Sequence, residues 1–165
     1  MADLTYSQKA TERHSSTGLV TGKGDANGLK VLVSSTVEIP PSASGATVKF
    51  GRIPSNARLS GISRVYWDDL TTTGSPTLDI GLASVNANIT SDPDALSNGH
   101  AVSSADADGA QAIADPAEFG KPAYLNVNGQ TTDPGGELDV YGSIVDAATV
   151  TNTGTVTLEL FGYLD

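Results

Sequence analysis

From Leu29 onward the chain alternates between apolar and polar positions. Leu29, Val31, Val33, Ser35, Val37 and Ile39 fall on one face, while Lys30, Ser34, Thr36 and Glu38 fall on the other together with Leu32. A period of two predicts a long strand, which Pro40-Pro41 stops. Ala46 to Ile53 repeats the pattern and ends at Pro54-Ser55-Asn56. Ala57 to Trp67 predicts a third strand with Leu59, Gly61, Val65 and Trp67 on one face. Its other face carries Ile62 and Tyr66, so the expectation is that both sides are covered. Thr77 to Ala83 returns with Leu78, Ile80 and Leu82 inward. The alternation is strongest near the end, where Glu137–Val145 and Thr155–Leu164 direct Leu138, Val140 and Ile144, and Val156, Leu158, Leu160 and Leu164, to one side.

Two stretches break the pattern. Residues 1–28 are rich in Ser, Thr, Gly and Lys and have neither helical nor strand periodicity, which predicts an extended N-terminal arm. Asn86 to Asp115 is dominated by Ala, Asp, Ser, Asn and Gly. This long loop is expected to hold one helical turn at Asp92–Leu96, with Asp92 as N-cap, Pro93 in the first helical position and Leu96 as its apolar anchor. Two short strands are expected at Gln111–Ile113 and Ala123–Val127. Strands separated by turn signals, with almost no helical pattern, make the chain all-β. The predicted architecture is a single antiparallel β-sandwich over residues 29–165, jelly-roll-like, with six to eight strands.

Composition narrows the chemistry. With 165 residues the chain fits one domain, and the absence of Cys excludes disulfides, thiolate metal sites and cysteine nucleophiles together. No apolar run approaches the ~20 residues that span a bilayer, and the first residues do not read as a secretory signal, so no membrane association is expected. The formal charge of −10 is unevenly distributed. Residues 1–64 hold eight of the nine bases against four carboxylates, a net +4, whereas residues 65–165 hold Lys121 against fifteen carboxylates, a net −14. Phosphate would be repelled by most of the chain, so no nucleic-acid partner is expected. A basic end docking on an acidic partner fits the asymmetry, and Lys9, Arg13 and Lys23 are the arm residues that would supply it.

Candidate catalytic groups are few. His14 lies in the arm and His100 in the polar loop, where neither is held as a general base would be. Glu137 with Asp139, or Asp139 with Glu159, could face one another across strands as glycosidase carboxylates do, but their alternation with core residues suits a solvated outer face. Asp92, Asp94, Asp106 and Asp108 offer oxygen ligands for a hard cation without the spacing of a calcium loop. Trp67 and Tyr66 could stack on a sugar, although a Trp in such a strand more often packs in the core. The expectation is a non-enzymatic module with no metal and no cofactor.

One stretch carries a resemblance. Arg52-Ile53-Pro54-Ser55-Asn56-Ala57-Arg58-Leu59-Ser60-Gly61-Ile62, followed by Trp67-Asp68-Asp69-Leu70 and Thr77-Leu78-Asp79-Ile80-Gly81-Leu82, resembles a pattern of structural proteins of tailed bacteriophages. Asp92-Pro93-Asp94-Ala95-Leu96-Ser97-Asn98-Gly99 and Gly135-Gly136-Glu137-Leu138-Asp139-Val140 are similar to later segments of those proteins. The resemblance covers residues 46–165. It implies a capsid decoration or cement protein on the outer surface of the virion, made in the host cytoplasm, with the major capsid protein as partner. It also implies association with itself as a homotrimer. Phe161 and Tyr163, alternating outward on the last strand, are the expected subunit contact. The other reading is a head-fibre, tail or host-surface carbohydrate-binding module that uses the Asn86–Asp115 loop.

Overall fold

A computed structural model describes residues 28–39, 45–68, 70, 75–85, 88–145 and 153–164. The expected arm therefore lies outside the described residues, except for Gly28. The described residues form nine strands: β1 (Lys30–Ile39), β2 (Thr47–Pro54), β3 (Arg58–Leu59), β4 (Arg64–Trp67), β5 (Thr77–Ser84), β6 (Asp92–Ala101), β7 (Asp106–Gln111), β8 (Glu137–Val145) and β9 (Gly154–Tyr163). They pair into two antiparallel sheets, ordered β1-β9-β4-β7 and β2-β8-β5-β6, with β3 lying against the end of β9. A five-stranded and a four-stranded sheet whose neighbours are mostly distant in sequence make the jelly-roll-like sandwich that the alternation predicted, with nine strands rather than the expected six to eight. Among the described residues no helix is long and apolar enough to cross a membrane.

The core lies between the sheets. Val65, Val156, Leu158 and Leu160 from one sheet meet Ile53, Leu78, Ile80, Leu82, Leu138 and Val140 from the other, all fully enclosed. The last two strands alternate as the sequence reads them, with Leu138, Val140, Val156, Leu158 and Leu160 inward. At one end of the core, Trp67 is 7% exposed and its indole N–H donates to the Ser104 carbonyl at 2.9 Å.

Several local expectations are corrected. In β1 the pairing with β9 shifts between Val31 and Val33, so Leu32 is an extra residue that turns toward the core while Val31 turns outward. Leu29 and Val31 are thus exposed, and only Val33 to Ile39 keep the expected inner face. The single strand expected over Ala57–Trp67 is two strands, β3 and β4, joined by a turn in which Ser63 donates its N–H and its hydroxyl to the Ser60 carbonyl. Ile62 stands on that turn, exposed rather than covered.

The helical turn expected at Asp92 is strand β6. This is an edge strand, where a proline need not donate to a ladder. Leu96 is an anchor as expected, nearly fully buried. The strand expected at Gln111–Ile113 is instead β7, ending at Gln111, and Ala123–Asn126 is a 3-10 turn.

Candidate functional site

Strand irregularities decide which charged groups meet. Residues three apart in a regular strand point to opposite faces, yet Lys49 and Arg52 share one. The register of β2 against β8 shifts between Lys49 and Gly51, and this bulge brings both cations onto the outer face beside Asp139. Lys49 Nζ lies 2.5 Å and Arg52 Nε 2.7 Å from the same Asp139 Oδ1. Burial raises the Asp139 pKa, but the bonds and charges of Lys49 and Arg52 outweigh it and hold the carboxyl below its ordinary range. Glu137 reaches Arg52 at 3.8 Å. A carboxylate neutralised in this way is a poor general acid. Asp139 and Glu159 do not pair across neighbouring strands either, since β8 and β9 belong to different sheets.

The four aspartates considered for a cation fall into separate places. Asp92 and Asp94 open β6, while Asp106 opens β7 beside Trp67. Asp106 Oδ1 accepts the N–H groups of Asp108 and Gly109 at 3.1 and 2.9 Å, fixing a bulge opposite Tyr66. Asp92 is nearly enclosed, and its Oδ2 accepts the Asn128 N–H at 2.6 Å, tying the 122–130 connection to the start of β6. Burial and the neighbouring Asp94 push the Asp92 carboxyl up against that bond. The Asn98 amide and a hydrogen bond with Asp92 draw the Asp94 carboxyl down. This pair fastens a loop to an edge strand. Among the described residues no group of three or more His, Asp or Glu side chains is arranged to hold a metal ion.

His100 stacks on Trp67, ring centroids 5.5 Å apart at a tilt of 43°, and its Nε2 lies 2.9 Å from Ser97 Oγ. Burial lowers its pKa from the ordinary 6.5, partly offset by Asp106. A histidine that folds neutral contributes stability above pH 6.5 that is lost as pH falls through its lower folded pKa. Trp67 is the chain's one tryptophan and the imidazolium quenches indole emission, so fluorescence should report this titration. The expected midpoint is below pH 6.5, and His100→Gln should flatten the curve. A midpoint at or above 6.5 in the wild type would contradict the burial.

The outer face of the β1-β9-β4-β7 sheet is polarised from end to end. Where β9 finishes, Val31 lies opposite Phe161, and Tyr163 lies opposite Arg58. Ile62 follows on the turn whose Ser60 N–H donates to the Phe161 carbonyl at 2.8 Å. Val31 is 57%, Ile62 51%, Leu29 42% and Tyr163 39% exposed, with Phe161 half-buried among them. The outward alternation of Phe161 and Tyr163 was legible in the sequence. Leu29, Val31 and Ile62 were not, because a bulge and a turn carry them out. The one signal was Leu32, an apolar residue on an otherwise polar face, which marks the change of phase.

Where β9 begins, Glu38 lies opposite Thr155, Asp68 lies beside it, and Asp106 pairs with Trp67. The Thr155 hydroxyl and N–H donate to Asp68 Oδ2 at 2.6 and 3.1 Å and hold that carboxyl below its ordinary range. Lys9, Arg13 and Lys23, the expected capsid contacts, lie outside the described residues.

No known protein family and no curated protein matches the sequence. Among solved structures, the fold is similar to a chain described as the capsid asymmetric unit of cyanophage Pam1. The TM-score is 0.57 at 18% sequence identity, over 88% of this chain and 91% of that one. At that identity the likeness is one of fold.

Proposed function

We propose that this chain is a non-enzymatic structural protein of a phage virion, a decoration or cement protein that binds the outside of the head. The observation that carries this reading is the likeness in fold, over nearly the whole of both chains, to a chain of a cyanophage capsid. Three features support it. The sequence pattern over residues 46–165 resembles tailed-phage structural proteins. Asp139, the carboxylate common to both pairs that alternation offered for catalysis, is neutralised by Lys49 and Arg52. The charge of the chain is divided so that a basic N-terminal segment can approach an acidic shell while the acidic remainder stays in water.

In this reading, residues 1–28 and one end of the sandwich contact the major capsid protein, with Lys9, Arg13 and Lys23 supplying electrostatic attraction. Copies associate as a homotrimer with Phe161 and Tyr163 at the subunit contact. Binding at several equivalent points then multiplies weak individual contacts.

The test is sedimentation with shells that lack the protein, comparing the full chain with one that begins at Leu29. The full chain should travel with the shells, and the shortened chain should stay in the supernatant while keeping its β-sheet circular dichroism. Equal binding of both would remove the arm from the mechanism. Binding by neither would refute the decoration reading.

A further inference from the structure

We propose that Asn128 is a site of spontaneous modification in the folded protein, where the side-chain amide is converted to aspartate or isoaspartate, and that the conversion loosens the tie between the 122–130 connection and β6. The proposal stands apart from the shell reading and needs no reactant other than water.

The chemistry belongs to the Asn-Gly pair. The backbone nitrogen that follows an asparagine can attack the side-chain carbon Cγ, and a glycine there leaves the nitrogen open because it has no Cβ. A bond forms between that nitrogen and Cγ, the Cγ–Nδ2 bond breaks, and the backbone proton leaves with Nδ2 as ammonia. Water then opens the cyclic imide. Breaking its bond from nitrogen to Cγ gives aspartate, and breaking its bond from nitrogen to the main-chain carbonyl carbon gives isoaspartate. The chain has three such pairs, Asn27-Gly28, Asn98-Gly99 and Asn128-Gly129, of which Asn27 lies outside the described residues. The surroundings of the other two rank them.

Asn98 is exposed but held at both reacting groups. It stands in β6, where its Nδ2 donates to Asp94 Oδ2 at 2.9 Å and the Gly99 N–H donates to Asp79 Oδ1 at 2.7 Å. Asp79 is itself buried, so this bond fixes the plane of the peptide between Asn98 and Gly99. Attack there must wait for β6 to open.

Asn128 is exposed with neither group held. It and Gly129, whose φ is 77°, are the central residues of a turn closed by the Gln130 N–H on the Val127 carbonyl at 3.0 Å. Among the described residues, the Asn128 amide and the Gly129 N–H have no hydrogen-bond partner. A Cβ placed on Gly129 would meet nothing within 4 Å, so water has access to the imide.

The consequence follows from what Asn128 holds. Its backbone N–H donates to Asp92 Oδ2 at 2.6 Å, at the start of the edge strand β6. Isoaspartate puts a carboxylate on the Cα of residue 128, next to that N–H and close to Asp92 and its neighbour Asp94. Like charges there oppose the bond. The same product lengthens the main chain inside the turn by one carbon, which disrupts the bond from Gln130 to Val127.

The test is to age the full chain in a mildly alkaline, ammonia-free buffer, folded in one sample and in guanidinium chloride in another, and to follow both asparagines by peptide mapping with mass spectrometry. In the folded sample Asn128 should convert about tenfold faster than Asn98, or more, because reaction at Asn98 waits on local opening. In guanidinium chloride the two should convert at comparable rates. Aged wild type should melt several degrees below fresh protein. Asn128→Ser keeps the backbone N–H and also carries Asn27, so it should keep its melting temperature when aged in the same way.

The site assignment fails if the folded chain converts Asn98 as fast as Asn128, or if Asn128 converts in guanidinium chloride and stays intact in the folded protein. Neither outcome depends on the variant. The loosening fails if wild type converted at Asn128 melts with fresh protein, or if aged Asn128→Ser loses as much as aged wild type.

Discussion

Gly81→Ala should be among the most destabilising small substitutions in the molecule, costing about 3 kcal/mol, at the upper end of what overpacking usually costs. A Cβ on Gly81 would fall 2.4 Å from the Asp92 carbonyl oxygen and 2.6 Å from Pro93 backbone atoms. These are main-chain atoms that cannot rotate away. The crowding has a cause in the register: β5 and β6 pair Ile80 with Ser97 but Leu82 with Asp92, so residues 93–96 arch over Gly81. Moving β6 outward to admit the methyl would strain the Asp92 bond to Asn128 and lift Leu96 from the core.

Thermal unfolding followed by circular dichroism should show a loss of about 10 °C, given a few degrees per kcal/mol for a domain of this size. Gly51→Ala is the control. Its Cβ would meet Val33 side-chain atoms at 3.4 Å, an ordinary contact, and the reduced freedom of the unfolded chain should leave stability unchanged or slightly higher. Equal melting temperatures for the two variants would mean that β6 does not cross Gly81 as described.

How much of this could be read in advance depends on whether a strand is regular. β8 and β9 have uninterrupted alternation, and for them the sequence yields both the strand and its inward face. Alternation says less where a bulge shifts its phase. In β1 the extra residue Leu32 moves Leu29 and Val31 from the expected core to the surface, and in β2 the shift after Lys49 brings Lys49 and Arg52 to one carboxylate. The 86–115 stretch misled for a different reason. Asp-Pro is a good helix start locally, but β6 forms because Leu96 and Ser97 are buried against β5, and tertiary pairing overrides the local preference. The candidate contact surface is assembled by these same irregularities, which is why only Phe161 and Tyr163 were visible beforehand.

Trp67→Ala should cost about 3–5 kcal/mol, the usual range for truncating a buried aromatic. Trp67 stands at the end of β4 between Asp106 of β7 and Val156 of β9. Its indole N–H holds the Ser104 carbonyl, and His100 of the opposite sheet lies against its ring. The side chain therefore joins the two sheets and the 102–105 connection at one point. Trp67→Phe keeps most of the apolar contact and removes the bond to Ser104, so it should cost much less, about 1 kcal/mol for the hydrogen bond and a little more for lost volume. Urea unfolding monitored by far-ultraviolet circular dichroism, which does not depend on the indole, measures both. The same pair of variants bears on the carbohydrate-binding alternative. A sugar platform requires an exposed ring, and replacing such a ring with alanine would abolish glycan binding at little cost in stability. A large loss of stability in Trp67→Ala, most of it recovered in Trp67→Phe, is the signature of a packing residue. A change below about 1 kcal/mol for Trp67→Ala would return Trp67 to the surface and reopen that alternative.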